Sequence, residues 1–275
     1  MSPFRGSAPF TETWHHFDFA VDHGVATVTL NRPEKLNPLT FEAYADLRDL
    51  LHELPHRGDV RVLVVRGEGK AFCAGGDVRE IIGELVRMKA PELVEFTRMT
   101  GQVIQAMREC PVPIVAGIQG VAAGAGAVIA LASDLRVVAR DARFAFLFTR
   151  VGLSGGDMGA AYLLPRVVGL GRASELLMLG DEIDAETADR YGLVTRLVDV
   201  GELDDAVGSL AERLASGPAL AYAHTKALLT RELDMPLAAS VELDAMTQAL
   251  LMTTDDHAEF HAAFTEKRRP RWTGR

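Results

Sequence analysis

The sequence predicts an α/β fold that is followed by a helical C-terminal region. Between residues 17 and about 200, short strand-like apolar runs alternate with small-residue loops and with apolar patterns of helical spacing. Beyond Val200 only helical patterns remain. We therefore predict an α/β core over residues 1–200, in which residues 1–14 form a loose arm, and a helical subdomain over residues 201–275.

The elements of the first part can each be justified from their residues. Residues 17–30 alternate apolar and polar types about a turn at His23 and Gly24, which indicates two strands. Thr40 is a candidate N-cap for a helix that continues to about Leu54. Residues 60–65 are apolar apart from Arg61 and indicate a buried strand. Residues 91–109 show the apolar spacing of a long helix.

The next elements are shorter. Residues 114–118 and 135–138 indicate strands, residues 120–126 a small-residue loop, and residues 127–132 a helix. Phe144, Phe146 and Phe148 alternate as side chains on one face of a strand do. They could fill a core or favour an aromatic or alicyclic ligand. Three helices are then predicted, over residues 202–216, 219–232 and 238–269.

Composition excludes several classes of protein. The formal net charge is −9, and the only basic cluster lies at residues 267–271, so a nucleic-acid partner is not expected. No apolar run approaches the length of a bilayer span, and the N-terminus lacks the features of a secretory signal. Cys73 and Cys110 form neither a disulfide framework nor a metal-ligand pattern. We expect a reduced, cytoplasmic protein that binds no metal.

Residues 152–156, Gly-Leu-Ser-Gly-Gly, match the nucleophile-elbow pattern of the α/β-hydrolases, with Ser154 in the place of the nucleophile. That reading requires Ser154 on a turn directly between a strand and a helix, with a histidine partner further along the chain. His224, His257 and His261 follow, but all three fall within predicted helices. A serine hydrolase is therefore an alternative function.

Two small-residue loops carry the strongest functional signal. Residues 70–81 follow the strand at 60–65, and residues 120–128 follow the strand at 114–118. Each loop leads into a helix, so each presents free backbone N–H groups at the positive end of a helix dipole. Side by side, the loops could stabilise an oxygen that gains negative charge. Close strand–helix packing at two ordinary turns would explain the same residues.

Four ordered motifs extend this pattern. They are residues 30–37, Leu-Asn-Arg-Pro-Glu-Lys-Leu-Asn, the two loops, and residues 180–194. In order and spacing they resemble the enoyl-CoA hydratase/isomerase (crotonase) family over about residues 15–273. The resemblance implies a spiral of ββα units in two nearly perpendicular sheets, followed by trimerising helices. It also implies an acyl-CoA substrate, with no cofactor beyond the coenzyme A moiety of that substrate.

The resemblance also implies roles for individual residues. The N–H groups of Gly76 and Ala125 match the oxyanion hole of the family. Eight residues match positions that line the coenzyme A path in the family: Lys35, Leu36, Lys70, Ala74, Val78, Arg79, Phe264 and Lys267. The resemblance implies that Phe264 and Lys267 reach the site of a neighbouring subunit. Lys70 and Lys267 suit the phosphates, although either could be a solvated surface lysine.

The sequence departs from the hydratases of the family at two positions. Their two catalytic glutamates correspond here to Val128 and Phe148. Neither side chain can transfer a proton, so simple hydration would lack both acid/base groups. Isomerisation, carbon–carbon bond chemistry or thioester hydrolysis is favoured instead. A member that binds acyl-CoA without catalysis is a further alternative.

Asp157 is the first candidate for the missing proton carrier. It lies in a loop that resembles those of the family's dienoyl-CoA isomerases and dihydroxynaphthoyl-CoA synthases, with one extra residue. Among glycines, Asp157 could equally be a turn former. Glu80, Glu84 and Tyr162 are secondary candidates. For the other two aspartates near the loops we predict structural roles, Asp77 as a helix cap and Asp134 at a strand end.

Leu243, Met246 and Leu250 recur at helical spacing in the C-terminal region, with Val241 and Leu251 beside them. So large an apolar stripe is more easily buried between subunits than within a small helical cap. We therefore predict a homotrimer or a dimer of trimers. The alternative is a stripe that packs inside its own subunit.

Overall fold

The computed structural model describes residues 9–274. Its strands are β1 (Asp18–Asp22), β2 (Val25–Leu30), β3 (Val62–Gly67), β4 (Ile114–Ile118), β5 (Val121–Ala123), β6 (Leu135–Ala139), β7 (Arg143–Ala145), β8 (Glu182–Asp184) and β9 (Arg196–Val198). Its α-helices are α1 (Phe41–Arg57), α2 (Gly83–Leu85), α3 (Ala90–Glu109), α4 (Ala125–Ala132), α5 (Ala160–Val168), α6 (Leu170–Leu179), α7 (Ala185–Arg190), α8 (Leu203–Ala215), α9 (Ala219–Arg231), α10 (Leu237–Met252) and α11 (Asp255–Thr265).

The strands form two sheets, and the chain alternates between them. One sheet has six strands in the order β1-β2-β3-β4-β6-β9, all parallel except for the β1–β2 hairpin. The other has three short strands in the order β5-β7-β8. Each of β4 and β6 is followed at once by a short strand of the small sheet and then by helix. This repeated strand–strand–helix order confirms the α/β spiral that the family resemblance implies.

Both faces of the six-stranded sheet are covered, which explains the buried apolar runs in β3 and β4. Alternate side chains of β3 point to opposite faces. Leu63 and Val65 join the main core beneath α1, α3 and α4, whereas Val62 and Val64 pack against α8. The sequence at residues 60–65 therefore predicted the burial correctly, although the strand itself begins at Val62.

The predicted division at residue 200 is wrong for α8. Leu203, Val207 and Leu210 are buried against Val64 and Val115 of the sheet, so this helix belongs to the core. All-helical patterning misled the prediction because a helix that covers a parallel sheet has the same apolar spacing as one in a separate bundle.

The described part of the N-terminal arm is also not loose. The backbone N–H of Thr11 donates to Glu53, and Trp14 stacks on Phe17 with 5.7 Å between ring centroids. Residues 1–8 of the predicted arm lie outside the described residues.

Three local predictions were wrong. The loop over 120–126 contains the short strand β5, because three small residues give no readable alternation. Phe146 and Phe148 lie beyond β7, and Phe148 belongs to a 3-10 helix over Leu147–Val151. The helix predicted over 238–269 is two helices, which separate at Thr254, whose hydroxyl caps α11 by accepting from the N–H of His257.

Within residues 9–274, no helix is both long enough and apolar enough to span a lipid bilayer.

Candidate active site

The two small-residue loops lie side by side. The N–H of Cys73 donates to the carbonyl of Val121 at 3.0 Å, and the N–H of Ala123 donates to the carbonyl of Cys73 at 2.9 Å. The first loop thereby pairs with β5 as an added strand would. These backbone bonds fix the two turns relative to each other.

Glycine is required where the loops touch. A Cβ on Gly126 would overlap the carbonyl oxygen of Cys73, and a Cβ on Gly120 would overlap that of Lys70. Gly120 also has a φ of +52°, which is strained for other residues. The small residues of the second loop therefore serve close backbone approach, as the sequence indicated.

The N–H groups of Gly76 and Ala125 are two free donors of this junction. Ala125 is the first residue of α4, so its N–H has no partner inside the helix. No hydrogen bond among residues 9–274 uses either N–H. The peptides around Gly76 are held in place, because Leu39 donates to the carbonyl of Gly75 and accepts from the N–H of Asp77, both at 2.8 Å. The loops adjoin at this point, since a Cβ on Gly75 would stand 3.6 Å from the nitrogen of Ala125.

Asp77 and Glu80 lie just beyond this junction and are held by cations. Asp77 caps the π-helical turn Val78–Ile82 by accepting from the N–H groups of Arg79 and Glu80, which confirms the predicted capping role. Arg32 contacts both carboxylates, at 3.0 Å from Asp77 and 2.7 Å from Glu80. Lys35 also pairs with Glu80, at 3.1 Å. These ion pairs weaken Glu80 as a candidate proton carrier.

The coenzyme A candidates of the first half are gathered around the first loop. Leu36 adopts a φ of +66° and accepts from the N–H of Ala74 at 2.9 Å, which joins the segment over 30–37 to the loop. The side chains expected to face the coenzyme are exposed: Lys35, Leu36, Lys70, Val78 and Arg79. Phe264 and Lys267, at the end of the chain, are exposed as well.

Asp157 begins a one-turn 3-10 helix, Asp157–Gly159, before α5. One of its carboxylate oxygens accepts from the N–H of Met158 at 2.9 Å, which is a local bond of the turn-forming kind. Burial raises the pKa of Asp157 above its ordinary value, and the bond from Met158 opposes that shift only partly. A half-buried carboxylate with a raised pKa is suited to carrying a proton.

The other candidates are engaged elsewhere. Tyr162 donates its hydroxyl to Asp234, and Arg166 lies over its ring, 3.5 Å from the centroid. It lines a cavity of about 500 Å³ between α3, α5 and α9, away from Gly76 and Ala125. Glu84 pairs with Arg87 on the surface. Asp134, as predicted, holds a strand end by accepting from the N–H of Ile114.

Ser154 does not lie in a nucleophile elbow. It stands between two 3-10 helices rather than between a strand and a helix, and its hydroxyl accepts from the N–H of Gly156 at 3.2 Å. No histidine in residues 9–274 hydrogen-bonds to it. The serine-hydrolase alternative therefore lacks its geometry.

The two positions that the resemblance matches to hydratase glutamates hold apolar side chains. Val128 lies in α4 and is fully buried, and Phe148 is almost so. Both belong to the main core together with Met158. Neither side chain can transfer a proton.

Tyr44 lies in α1 and was not among the site residues predicted from the sequence. The structure buries its ring and brings its hydroxyl to the first loop, 3.6 Å from where a Cβ on Gly76 would stand. A tyrosine at helical spacing has the pattern of an ordinary core residue, so the sequence carried no signal for this placement.

Comparison with known proteins assigns the chain to a family. A model of the family described as Enoyl-CoA hydratase/isomerase matches residues 20–275. The chain belongs to this family. Among solved structures of enoyl-CoA hydratase/isomerase proteins, a crystal structure from Streptomyces coelicolor A3(2), provisionally assigned as an enoyl-CoA hydratase, superposes with a TM-score of 0.98 at 67% identity. Each chain is covered completely.

Two relatives in the enoyl-CoA hydratase/isomerase family have names that give different reactions. The 1,2-epoxyphenylacetyl-CoA isomerase of Escherichia coli K12 is 35% identical over 93% of this chain and 97% of its own length. The (E)-benzylidenesuccinyl-CoA hydratase of Thauera aromatica is 36% identical over 92% of this chain and 97% of its own length. The chain thus shares a family with enzymes that process acyl-CoA esters, and the reactions that their names give differ.

Proposed function

We propose that the protein is an acyl-CoA enzyme that stabilises an enolate or oxyanion between the N–H groups of Gly76 and Ala125. The supporting observation is that these two donors are unpaired, adjacent and fixed by their neighbours, while the half-buried carboxylate Asp157 has a raised pKa. Preorganised N–H donors stabilise charge that develops on a thioester oxygen. Asp157 supplies the proton transfer.

Isomerisation is the reaction that one carboxylate can complete. Asp157 takes a proton from a carbon acidified by the thioester, and the electron pair moves into the bond beside the carbonyl. The carbonyl oxygen gains the negative charge and is held by the two N–H groups. The same proton then returns from Asp157 to a carbon further along, so that a double bond has moved and every atom is accounted for.

Simple hydration is less well supported. A water molecule must be activated and its proton delivered, and Val128 and Phe148 offer no group for either task. The name of the E. coli relative, 1,2-epoxyphenylacetyl-CoA isomerase, supports isomerase chemistry and an acyl group that carries a six-membered ring. Lyase or thioesterase chemistry could use the same pair of N–H groups.

Coenzyme A is proposed to lie along the first loop. Lys70 and Arg79 offer positive charge for its phosphates, while Leu36, Ala74 and Val78 line its path; Lys35 is already paired with Glu80 and would have to share its charge. Phe264 and Lys267 would complete a neighbouring subunit's site within a trimer or a dimer of trimers. A cytoplasmic setting with reduced Cys73 and Cys110 suits this assignment.

Steady-state assays on a panel of enoyl-CoA and aromatic acyl-CoA esters test the proposal. Asp157→Asn keeps the shape of the side chain but cannot act as a base, so we expect a loss of roughly two to four orders of magnitude in kcat. Ser154→Ala is the matched control in the same loop and should stay within about threefold of wild type.

The wild-type enzyme should also lose activity as the pH falls through the raised pKa of Asp157, because the base must be ionised. Wild-type turnover that Asp157→Asn leaves intact contradicts the role of Asp157. Loss with Ser154→Ala alone would favour a serine hydrolase. Binding of esters without any turnover would favour a non-catalytic member of the family.

A further inference from the structure

Tyr44 is a buried tyrosine beside the free N–H group of Gly76. Its ring packs edge-on against Phe96, with 6.1 Å between the centroids, and only 3% of the residue is exposed. Its oxygen lies 3.6 Å from the point where a Cβ on Gly76 would stand, next to the side chain of Ile81. α1 thus delivers one polar atom to an otherwise apolar part of the site.

Among residues 9–274, no hydrogen bond joins that hydroxyl to a backbone or side-chain group, although buried tyrosine hydroxyls usually find a partner. The oxygen is not one of the fully enclosed side-chain atoms that lack a partner, so it keeps a small opening to its surroundings. A ligand in the site can therefore reach it, and phenylalanine would fill the same space without offering that contact.

The hydroxyl remains protonated at any physiological pH. Burial, together with the nearby ionisable groups of Cys73 and Asp157, raises the pKa of Tyr44 well above its ordinary value. It can therefore donate a hydrogen bond but cannot act as a base. Its proximity to Asp157 also makes the region unfavourable for a second negative charge.

We propose that Tyr44 is a specificity residue whose hydroxyl donates a hydrogen bond to an uncharged oxygen on the acyl group. This inference rests on the proposed function, in which the thioester oxygen lies at the N–H of Gly76. An atom reached from Tyr44 is then only a few bonds from the thioester, at about the third or fourth carbon. The preferred substrates carry a hydroxyl, ether or ketone oxygen there, rather than a carboxylate or a plain hydrocarbon chain.

Calorimetric titration of the full-length protein with three esters tests this assignment. Hexanoyl-CoA lacks the oxygen, and 3-hydroxyhexanoyl-CoA and 4-oxohexanoyl-CoA add one. We expect wild type to bind at least one oxygenated ester more tightly than hexanoyl-CoA. Tyr44→Phe should weaken that ester about tenfold or more and leave hexanoyl-CoA within about twofold. Tyr222→Phe, on α9, is the matched control and should change neither.

Each other outcome has a definite meaning. If Tyr44→Phe weakened the binding of all three esters equally, Tyr44 would lie at the thioester instead. If it weakened the binding of none, Tyr44 would lie outside the site. Either result overturns the proposal. The melting temperature of Tyr44→Phe should stay close to that of wild type, because the hydroxyl bonds to no protein group. A clear decrease contradicts the premise.

Binding does not require turnover, which separates this proposal from the proposed function. Tyr44-dependent binding by a protein that turns over no ester would overturn the catalytic role and leave the specificity role standing. Failure to bind any of the three esters would contradict both.

Discussion

At the scale of single residues, the candidate site depends on backbone atoms more than on side chains. The N–H group of Ala125 is available because Ala125 is the first residue of α4. The N–H group of Gly76 has no partner, and the neighbouring peptides are held in place by their bonds to Leu39. The residues of the junction itself are mostly glycine and alanine, and their small side chains keep the donors accessible. The chemistry of the site then depends on the few polar side chains that remain.

Proline at position 125 tests the backbone donor directly. Ala125→Pro removes the N–H, and one oxyanion donor is typically worth roughly 3 kcal/mol in the transition state, so kcat should fall by about two to three orders of magnitude. Proline is tolerated at the first position of a helix, which favours correct folding. Circular dichroism checks that folding.

Ala125→Gly is the control, since it retains the N–H and should stay active. If the folded proline variant turned over substrate at the wild-type rate, the N–H of Ala125 would have no part in catalysis.

The sequence predicted some of these residues and missed others for physical reasons. Asp77 as a helix cap follows from local rules and is confirmed. Glu80 and Tyr162 remained candidates because the sequence could not show that they pair with Arg32 and Asp234, which are distant in the chain. Tyr44 was missed because burial alone does not tell which way a ring presents its oxygen.

At the scale of elements, the site depends on the contact between the two loops. Both loops leave neighbouring strands of the large sheet, and the first pairs with β5 before the chain enters α4. Sequence spacing predicted that each loop joins a strand to a helix. It did not predict β5, because a three-residue strand is defined by its partner and not by its own pattern.

Gly126→Ala tests this contact. The new Cβ would overlap the carbonyl of Cys73, so α4 must shift, and we expect a loss of about 1–3 kcal/mol in the free energy of unfolding. Activity should fall as well, because the shift moves the N–H of Ala125. Urea denaturation and steady-state rates provide the two measurements.

Gly208→Ala in α8 is the matched control for this substitution. No atom lies within 4 Å of its new Cβ, so alanine should stabilise the helix by about 0.5–1 kcal/mol. A Gly126→Ala variant as stable and active as this control would show that the loops do not need their close approach.

At the scale of the whole molecule, the C-terminal helices leave apolar surface uncovered. In α10, Val241, Met246, Leu250 and Met252 are each more than half exposed, and Phe264 of α11 is 75% exposed. The periodicity of this stripe was readable from the sequence, but a single chain does not reveal what covers it. Large apolar side chains that stay exposed on neighbouring helices favour a surface that another chain covers.

We predict that this surface forms the subunit interface of a homotrimer or of a dimer of trimers. Light scattering at about 10 μM should give three or six times the 29.8 kDa chain mass. Met246→Glu should shift the protein toward monomer, because a charge would be buried without a partner. Glu212→Lys, on the exposed face of α8, should leave the mass unchanged. A wild-type mass equal to one chain contradicts the prediction.

The backbone origin of the two free amides has an evolutionary consequence. A substitution changes a side chain, and only a change to proline deletes an amide, so random mutation rarely removes this pair of donors. Positions such as Val128 and Phe148 can vary while the donors persist. A gene that encodes this scaffold can therefore drift from one acyl-CoA reaction to another by exchanging a few inward-facing residues, and duplicated copies can diverge in reaction without having to reinvent the fold.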